Sequence, residues 1–191
     1  MKHLLLITAG FPFGSSETFL ENELPIIAKH FHKVTILALH NGNGAQRSVP
    51  ENCEVNCLDL SDTKKVKLRA LLLVGSKIVK AEKKWIKKQH QQKLLPEHQK
   101  IMLISLAKAK LIAKWIKNKI DDAQSTVAYS YWGNDAAIAL ALLQRKQFFA
   151  KAVCRVHGWD VYFEVHEFQY LPFRKLLVQS LDKVFTISER G

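Results

Sequence analysis

Residues 3–39 read HLLLITAGFPFGSSETFLENELPIIAKHFHKVTILAL. The two ends, 3–9 and 34–39, are short apolar runs suited to strands buried on both faces. Between them, residues 18–31 carry a helical pattern: Thr18 and Glu21 stand three apart as a capping box, and Phe19, Leu24, Ile27 and Phe31 are spaced for a buried face. A strand, a helix and a second strand in this order form a β-α-β unit with parallel strands. The rhythm continues outward. Residues 55–58, 126–131, 152–157 and 183–187 read as further buried strands, and 135–145 and 173–181 as crossover helices. Right-handed crossovers stack such units into a Rossmann-like α/β fold, a parallel sheet with helices on both faces.

The 191 residues suffice for one domain with a sizeable core, and 48% hydrophobic with 24% charged residues is ordinary globular composition. Disordered, collagen-like and disulfide-scaffold classes are excluded on that ground. Charge is the anomaly. The chain carries +12, yet residues 64–119 hold 17 basic residues against Glu82 and Glu97, a local +15 that leaves the remainder at −3. A regional excess implies one surface turned toward polyanions. This stretch (64–120) reads as a lysine-rich pair of helices broken near Pro96 and inserted into the α/β rhythm. In the first, Leu71, Val74, Ile78, Ala81 and Trp85 share one face, and Lys77, Lys80, Lys83, Lys84 and Lys87 the other. In the second, Ile112, Ile116 and Ile120 oppose Lys110, Lys114 and Lys117.

Three cysteines, Cys53, Cys57 and Cys154, lack the second Cys or His pair of a zinc site and read as reduced, buried thiols of a cytosolic protein. The opening Met1-Lys2-His3-Leu4-Leu5-Leu6-Ile7 begins like a secretory leader, but Gly10, Pro12 and Gly14 interrupt it, so it is read as the first strand. No apolar run approaches the roughly 20 residues of a membrane span.

In open parallel sheets, ligands gather beyond the carboxyl ends of the strands. Three loops stand there. The first is Gly10-Phe11-Pro12-Phe13-Gly14-Ser15-Ser16-Glu17-Thr18, which lacks the Gly-x-Gly-x-x-Gly spacing of a dinucleotide site. Glu17 would repel a phosphate there but accept sugar hydroxyls; equally, Gly14 and Ser16 could only make a turn and Glu17 only complement the helix dipole. The second, Tyr129-Ser130-Tyr131-Trp132-Gly133-Asn134-Asp135, brings aromatics to a strand end before a helix starting at Asn134 or Asp135, with Trp132 either a stacking platform or core filler. The third, Arg155-Val156-His157-Gly158-Trp159-Asp160, ends a strand on a histidine, follows it with a glycine that permits close approach, and sets Asp160 within reach to orient the ring. No nucleophile elbow, phosphate-binding P-loop or His-Glu-x-x-His is present, so those hydrolases lack their parts.

Taken in order, three groups of residues resemble the N-terminal half of glycosyltransferase family 4. They are Phe11-Pro12 with Ser15-Ser16-Glu17-Thr18-Phe19, Glu21 and Glu23; Arg155, His157, Gly158, Asp160 and Tyr162; and the run from Asp182 to Gly191. The closest likeness is to members that build bacterial exopolysaccharide, capsule or lipopolysaccharide. The resemblance implies that residues 1–191 form the N-terminal, acceptor-side Rossmann-like domain of a two-domain retaining enzyme, with the C-terminal nucleotide-sugar domain absent and the chain alone inactive. It implies His157 beside the donor sugar and reacting centre, Gly14 and Ser15 beside the donor diphosphate, and Ser16, Glu17, Trp132, Gly133, Gly158 and Asp160 around donor or acceptor. No metal or other cofactor is implied. The implied partners are a nucleotide-sugar donor and a glycan or lipid-linked acceptor. The protein is expected in the cytoplasm, peripheral on the inner face of the plasma membrane, with Lys77, Lys80, Lys83, Lys84 and Lys87 against anionic lipid. Where many relatives have a His-x-His-Phe-Gly-like run, this chain departs from the pattern with Tyr129-Ser130-Tyr131-Trp132-Gly133. The alternatives are a non-catalytic acceptor-binding or membrane-surface module and, with fewer supporting features, a nucleic-acid-binding domain; nucleic acid is not the expected partner.

Overall fold

The computed structural model describes residues 2–40, 44–90 and 94–187. Met1 and, from the third group, Ser188, Glu189 and Gly191 lie outside the described residues. All six expected strands form: β1 (His3–Thr8), β2 (Lys33–Ala38), β3 (Cys53–Cys57), β4 (Thr126–Ser130), β5 (Lys151–Val156) and β6 (Lys183–Thr186). They make one sheet in the order β3-β2-β1-β4-β5-β6, parallel throughout. The fold is Rossmann-like α/β.

Strand β1 is central, with His3 opposite Lys33 on one side and Thr126 on the other. Its side chains alternate between two cores, Leu5 and Ile7 into one and Leu4 and Leu6 into the other, as the strand period of two requires. The Leu4 side is covered by α1 (Phe19–Ala28). The Leu5 side is covered by α2 (Thr63–Leu71), α3 (Lys77–His90), α4 (Pro96–Lys119), α5 (Asp135–Gln144) and, after the one-turn α6 (Gly158–Val161), α7 (Arg174–Ser180). Strand order reverses between β1 and β4, and the loops leaving those two strands therefore diverge and open a crevice.

Two local expectations fail at α1. Phe19 is 77% exposed, and the buried line is Leu20, Leu24 and Ala28, displaced by one position at its start. The capping box does not form: Thr18 makes no side-chain cap bond, and Glu21 pairs with Arg47 at 2.6 Å. The cause is Glu17, which takes a left-handed φ of 55° and turns its carboxylate back toward β1, setting the helix entry.

The basic segment is three helices, not two, with α3 (Lys77–His90) separated from α2 by a turn containing Gly75. Of the face assigned to Leu71, Val74, Ile78, Ala81 and Trp85, only Ile78 and Trp85 pack against the core, and both are half-buried. Leu71 and Val74 are exposed, and α3 buries Val79, Glu82 and Ile86. A carboxylate displaces the apolar pattern because two donors wait for it: Glu82 accepts the Phe173 N–H at 2.7 Å and the Tyr170 hydroxyl at 3.1 Å. Lys77, Lys80, Lys84 and Lys87 are exposed as expected, whereas Lys83 is half-buried and donates to Gln99 at 2.6 Å. On α4 the stripe Ile112, Ile116 and Ile120 is buried as read.

Burial raises the Glu82 carboxyl above its ordinary range, against the smaller opposing effects of its two hydrogen bonds and Arg174. The folded state then holds this proton more tightly than the unfolded chain, so this group's contribution to stability falls as pH rises through the folded value. Glu82→Gln keeps an oxygen for both donors without a buried charge. It is expected to gain stability relative to the parent as pH goes from 5 to 8, read as urea midpoints at each pH. Equal pH dependence in the two proteins would refute the assignment.

Candidate functional site

The loop after β1 is held shut by one side chain. Glu17 Oε1 accepts the Ala9 N–H at 2.9 Å and the indole Nε1–H of Trp132 at 2.7 Å; Oε2 accepts the N–H groups of Gly10 and Phe11 at 2.9 and 2.8 Å. Four donors fill the acceptor positions of an ionised carboxylate. Glu17 is therefore a clamp across the β1/β4 crevice, and the sugar-hydroxyl role foreseen for it has no free lone pair to use. Gly14 sits in the same loop at φ 64°, where a side chain would be strained, and Ser15 and Ser16 are exposed beside it. Arg47 ties the loop down by donating to the Ser16 carbonyl and lying 4.7 Å from the buried Phe11 ring centroid.

The clamp leads to the histidine. Trp132 is half-buried, and its ring meets the His157 imidazole at 4.2 Å between centroids; Tyr131 lies 5.1 Å from the same imidazole. His157 ends β5 with 17% of its side chain exposed. Asp160, 3% exposed, accepts the His157 backbone N–H at 3.1 Å and stands 3.6 Å from Nδ1, just beyond hydrogen-bond length. Nδ1 is buried, so the exposed part of the ring lies away from Asp160. The expected rim is real: the Gly14–Glu17 turn, Trp132 and His157 share the carboxyl edge of the sheet. Gly158 serves a local purpose, since a Cβ there would lie 3.2 Å from the Tyr162 ring.

Behind Asp160 opens a cavity of about 410 Å3, within the roughly 300–1,000 Å3 of small-molecule sites. Trp159, Asp160, Asn134, Asp135, His166 and Arg174 are among its lining residues. Asn134 caps α5 as expected, accepting the Ala136 N–H at 3.0 Å. Burial pushes the Asp135 carboxyl up against the pull of Ser105 and Lys108 on α4, with Lys108 at 3.7 Å. Burial likewise lowers the Arg174 guanidinium, with Asp160 and Asp135 among the groups that counter it. Arg174 donates to the Gly133 carbonyl, while its Nε is buried without a partner among the described residues, as is His157 Nδ1. These two orphans flank Asp160. Buried polar atoms are nearly always paired, so each exception calls for an explanation; Ser76 Oγ, in the turn before α3, is another.

Sequence reasoning missed Arg174, Asp135 and the exposed ring of Trp159. Arg174 lies 41 residues beyond its partner Gly133, and no local spacing announces it. Trp159 stood inside a quoted motif, and a large aromatic beside a Gly at a strand end was the available signal. The cysteines differ in setting: burial pushes the Cys154 thiol up to about 12 and that of half-buried Cys53 up to about 11, whereas Cys57 is exposed where a buried thiol was expected. Among the described residues no cluster of three His, Cys, Asp or Glu is placed to hold a metal ion.

Gly133 is required for packing. A Cβ there would lie 2.7 Å from Val156 Cγ1, 3.0 Å from Arg174 Nη1 and 3.2 Å from Asp160 Cβ. Gly133→Ala should destabilise by about 1–3 kcal/mol through overpacking, seen as a lower urea midpoint, and should displace Arg174. An unchanged midpoint would mean that the loop yields freely.

The fold and this rim define a Rossmann-like α/β domain with its topological switch between β1 and β4. Comparison with protein-family models and with curated proteins finds no match for the chain.

Proposed function

We propose that this chain is the acceptor-side domain of a retaining glycosyltransferase, moving a sugar from a nucleotide-sugar donor to a glycan or lipid-linked acceptor of the cell surface. It would work in the cytoplasm at the inner face of the plasma membrane. The observation that carries this reading is the pairing of the His157 rim with an adjoining cavity that offers carboxylates, an arginine and an exposed tryptophan. Carboxylates accept hydroxyl hydrogen bonds, and an indole face packs on a sugar ring. In the proposed step the acceptor oxygen attacks the anomeric carbon on the face from which the diphosphate leaves. The carbon–oxygen bond to the diphosphate breaks, and the acceptor proton passes to the leaving diphosphate. His157 positions the donor sugar and stabilises charge through its exposed edge; Asp160 fixes its backbone by accepting the His157 N–H.

The reading is tested on the gene product that carries this chain. Nucleoside diphosphate release is measured over a panel of nucleotide sugars with extracted glycolipids as acceptors, and saccharide binding is followed through the indole N–H signals of Trp132 and Trp159. Sugar-dependent release together with a Trp159 shift supports the proposal. Absence of both over the whole panel would overturn it.

A further inference from the structure

Helix α2 has two apolar faces. Val66 and Ala70, continued by Leu73, pack into the core. On the opposite side Leu68, Leu71 and Leu72 are 65, 69 and 80% exposed, at the i, i+3, i+4 spacing of a single ridge. Val74, at the turn after the helix, is also exposed. Isolated exposed leucines are ordinary, but a contiguous ridge marks an interaction surface. The ridge runs into an apolar groove of about 560 Å3 between α2 and α4, lined by Ala70, Leu71, Pro96, Leu103 and Ile104 with Lys67 and Lys100 at its border.

The charge around the ridge identifies its partner. Within its nine residues α2 carries Lys64, Lys65, Lys67 and Arg69 and no acid; the nearest carboxylate, Asp62, caps the helix by accepting the Lys65 N–H at 3.1 Å. Projected at 100° per residue, Leu68, Leu71 and Leu72 form the centre of the outward face, with Lys67 on one flank and Lys65 and Arg69 on the other. Exposed lysines of α3, Lys77, Lys80, Lys84 and Lys87, add to the cationic surface. An apolar centre bordered by cations matches the interface of an anionic bilayer, where leucines enter the acyl boundary and lysines stay among the headgroups. A second copy would oppose cation to cation, and a nucleic acid would leave the leucines with nothing to bury against. Among the described residues no helix is long and apolar enough to cross a membrane, so the contact is one of surface insertion.

We infer that the α2 ridge Leu68, Leu71 and Leu72 inserts into the interface of an anionic phospholipid bilayer, with Lys64, Lys65, Lys67 and Arg69 binding its headgroups. The device deepens the membrane-face part of the reading above by naming the surface that makes the contact, and does not depend on sugar transfer. It adds an apolar ridge on α2 to the α3 lysines expected to make that contact.

The test is flotation of the protein with vesicles of phosphatidylcholine containing 30% phosphatidylglycerol, and with pure phosphatidylcholine vesicles, at low and high salt. The parent should float with the anionic vesicles and not with the neutral ones. Leu68→Ser/Leu71→Ser/Leu72→Ser should weaken binding by on the order of 30-fold while leaving the urea midpoint unchanged, because those side chains are already in water. Lys64→Gln/Lys65→Gln/Lys67→Gln should weaken it by on the order of 100-fold and make what remains less salt-dependent, since Arg69 and the α3 lysines are still present. The inference is overturned if the serine variant floats like the parent, if the parent ignores anionic vesicles, or if the leucines instead drive self-association in sedimentation or binding to duplex DNA. Sugar transfer is measured separately, so either proposal can fail alone.

Discussion

Glu17→Ala is expected to lower the unfolding free energy by about 3 kcal/mol. Three backbone N–H groups and an indole N–H lose their only common acceptor at once. Each half-buried donor left without a partner costs about 1 kcal/mol or more, and these bonds are charge-assisted. Two companions separate the causes. Glu17→Gln retains one oxygen and turns an amide toward the remaining donors, so about half the loss is expected. Glu17→Gly relieves the left-handed φ of 55° yet still lacks the carboxylate, and should fall between the two. Urea unfolding gives the energies, and the Trp132 indole resonance reports whether the bridge to β4 has opened. A loss below about 1 kcal/mol in Glu17→Ala would show that water satisfies the loop unaided.

His157→Ala is expected to lower kcat for sugar transfer by about 100- to 1,000-fold, the scale of removing one preorganised group from a reacting centre. Stability should change far less, by about 1 kcal/mol, since the ring contributes mainly its stacking on Trp132 and Tyr131. Trp132→Phe is the control for support. It keeps an aromatic surface under the imidazole but cannot donate to Glu17, so it should perturb the loop after β1 more than the chemistry at His157. Retention of transfer within about threefold in His157→Ala would remove the histidine from the reaction and with it the core of the functional proposal.

Both experiments probe contacts that bind distant parts of the chain, and they mark where sequence reasoning stopped. Glu17 was singled out for its place in the first loop, yet its partner Trp132 lies 115 residues away. Read alone, a carboxylate at a helix start looks available to ligand. Only the closure of β1 against β4 reveals that its lone pairs are taken. The same holds for Glu82, an acid in a lysine-rich helix that looks solvated until Phe173 and Tyr170 arrive from 91 and 88 residues further on. The error in the α3 face followed from that single residue, because periodicity assigns charged side chains outward.

The sequence by itself determined the six strands, the crossover helices α1, α5 and α7, and the carboxyl edge on which the Glu17 turn and His157 meet. Strand runs and helical spacing are properties of neighbouring residues, and hydrophobic burial acts on them wherever the chain goes. Tertiary structure alone decided which polar groups would be used up inside the protein and which would not: Glu17 and Glu82 were consumed, while Asp160 and Arg174 were left lining a cavity and His157 on the rim beside Asp160. A hydrogen bond needs a partner at one distance and angle, and that partner is chosen by how the sheet brings remote loops together.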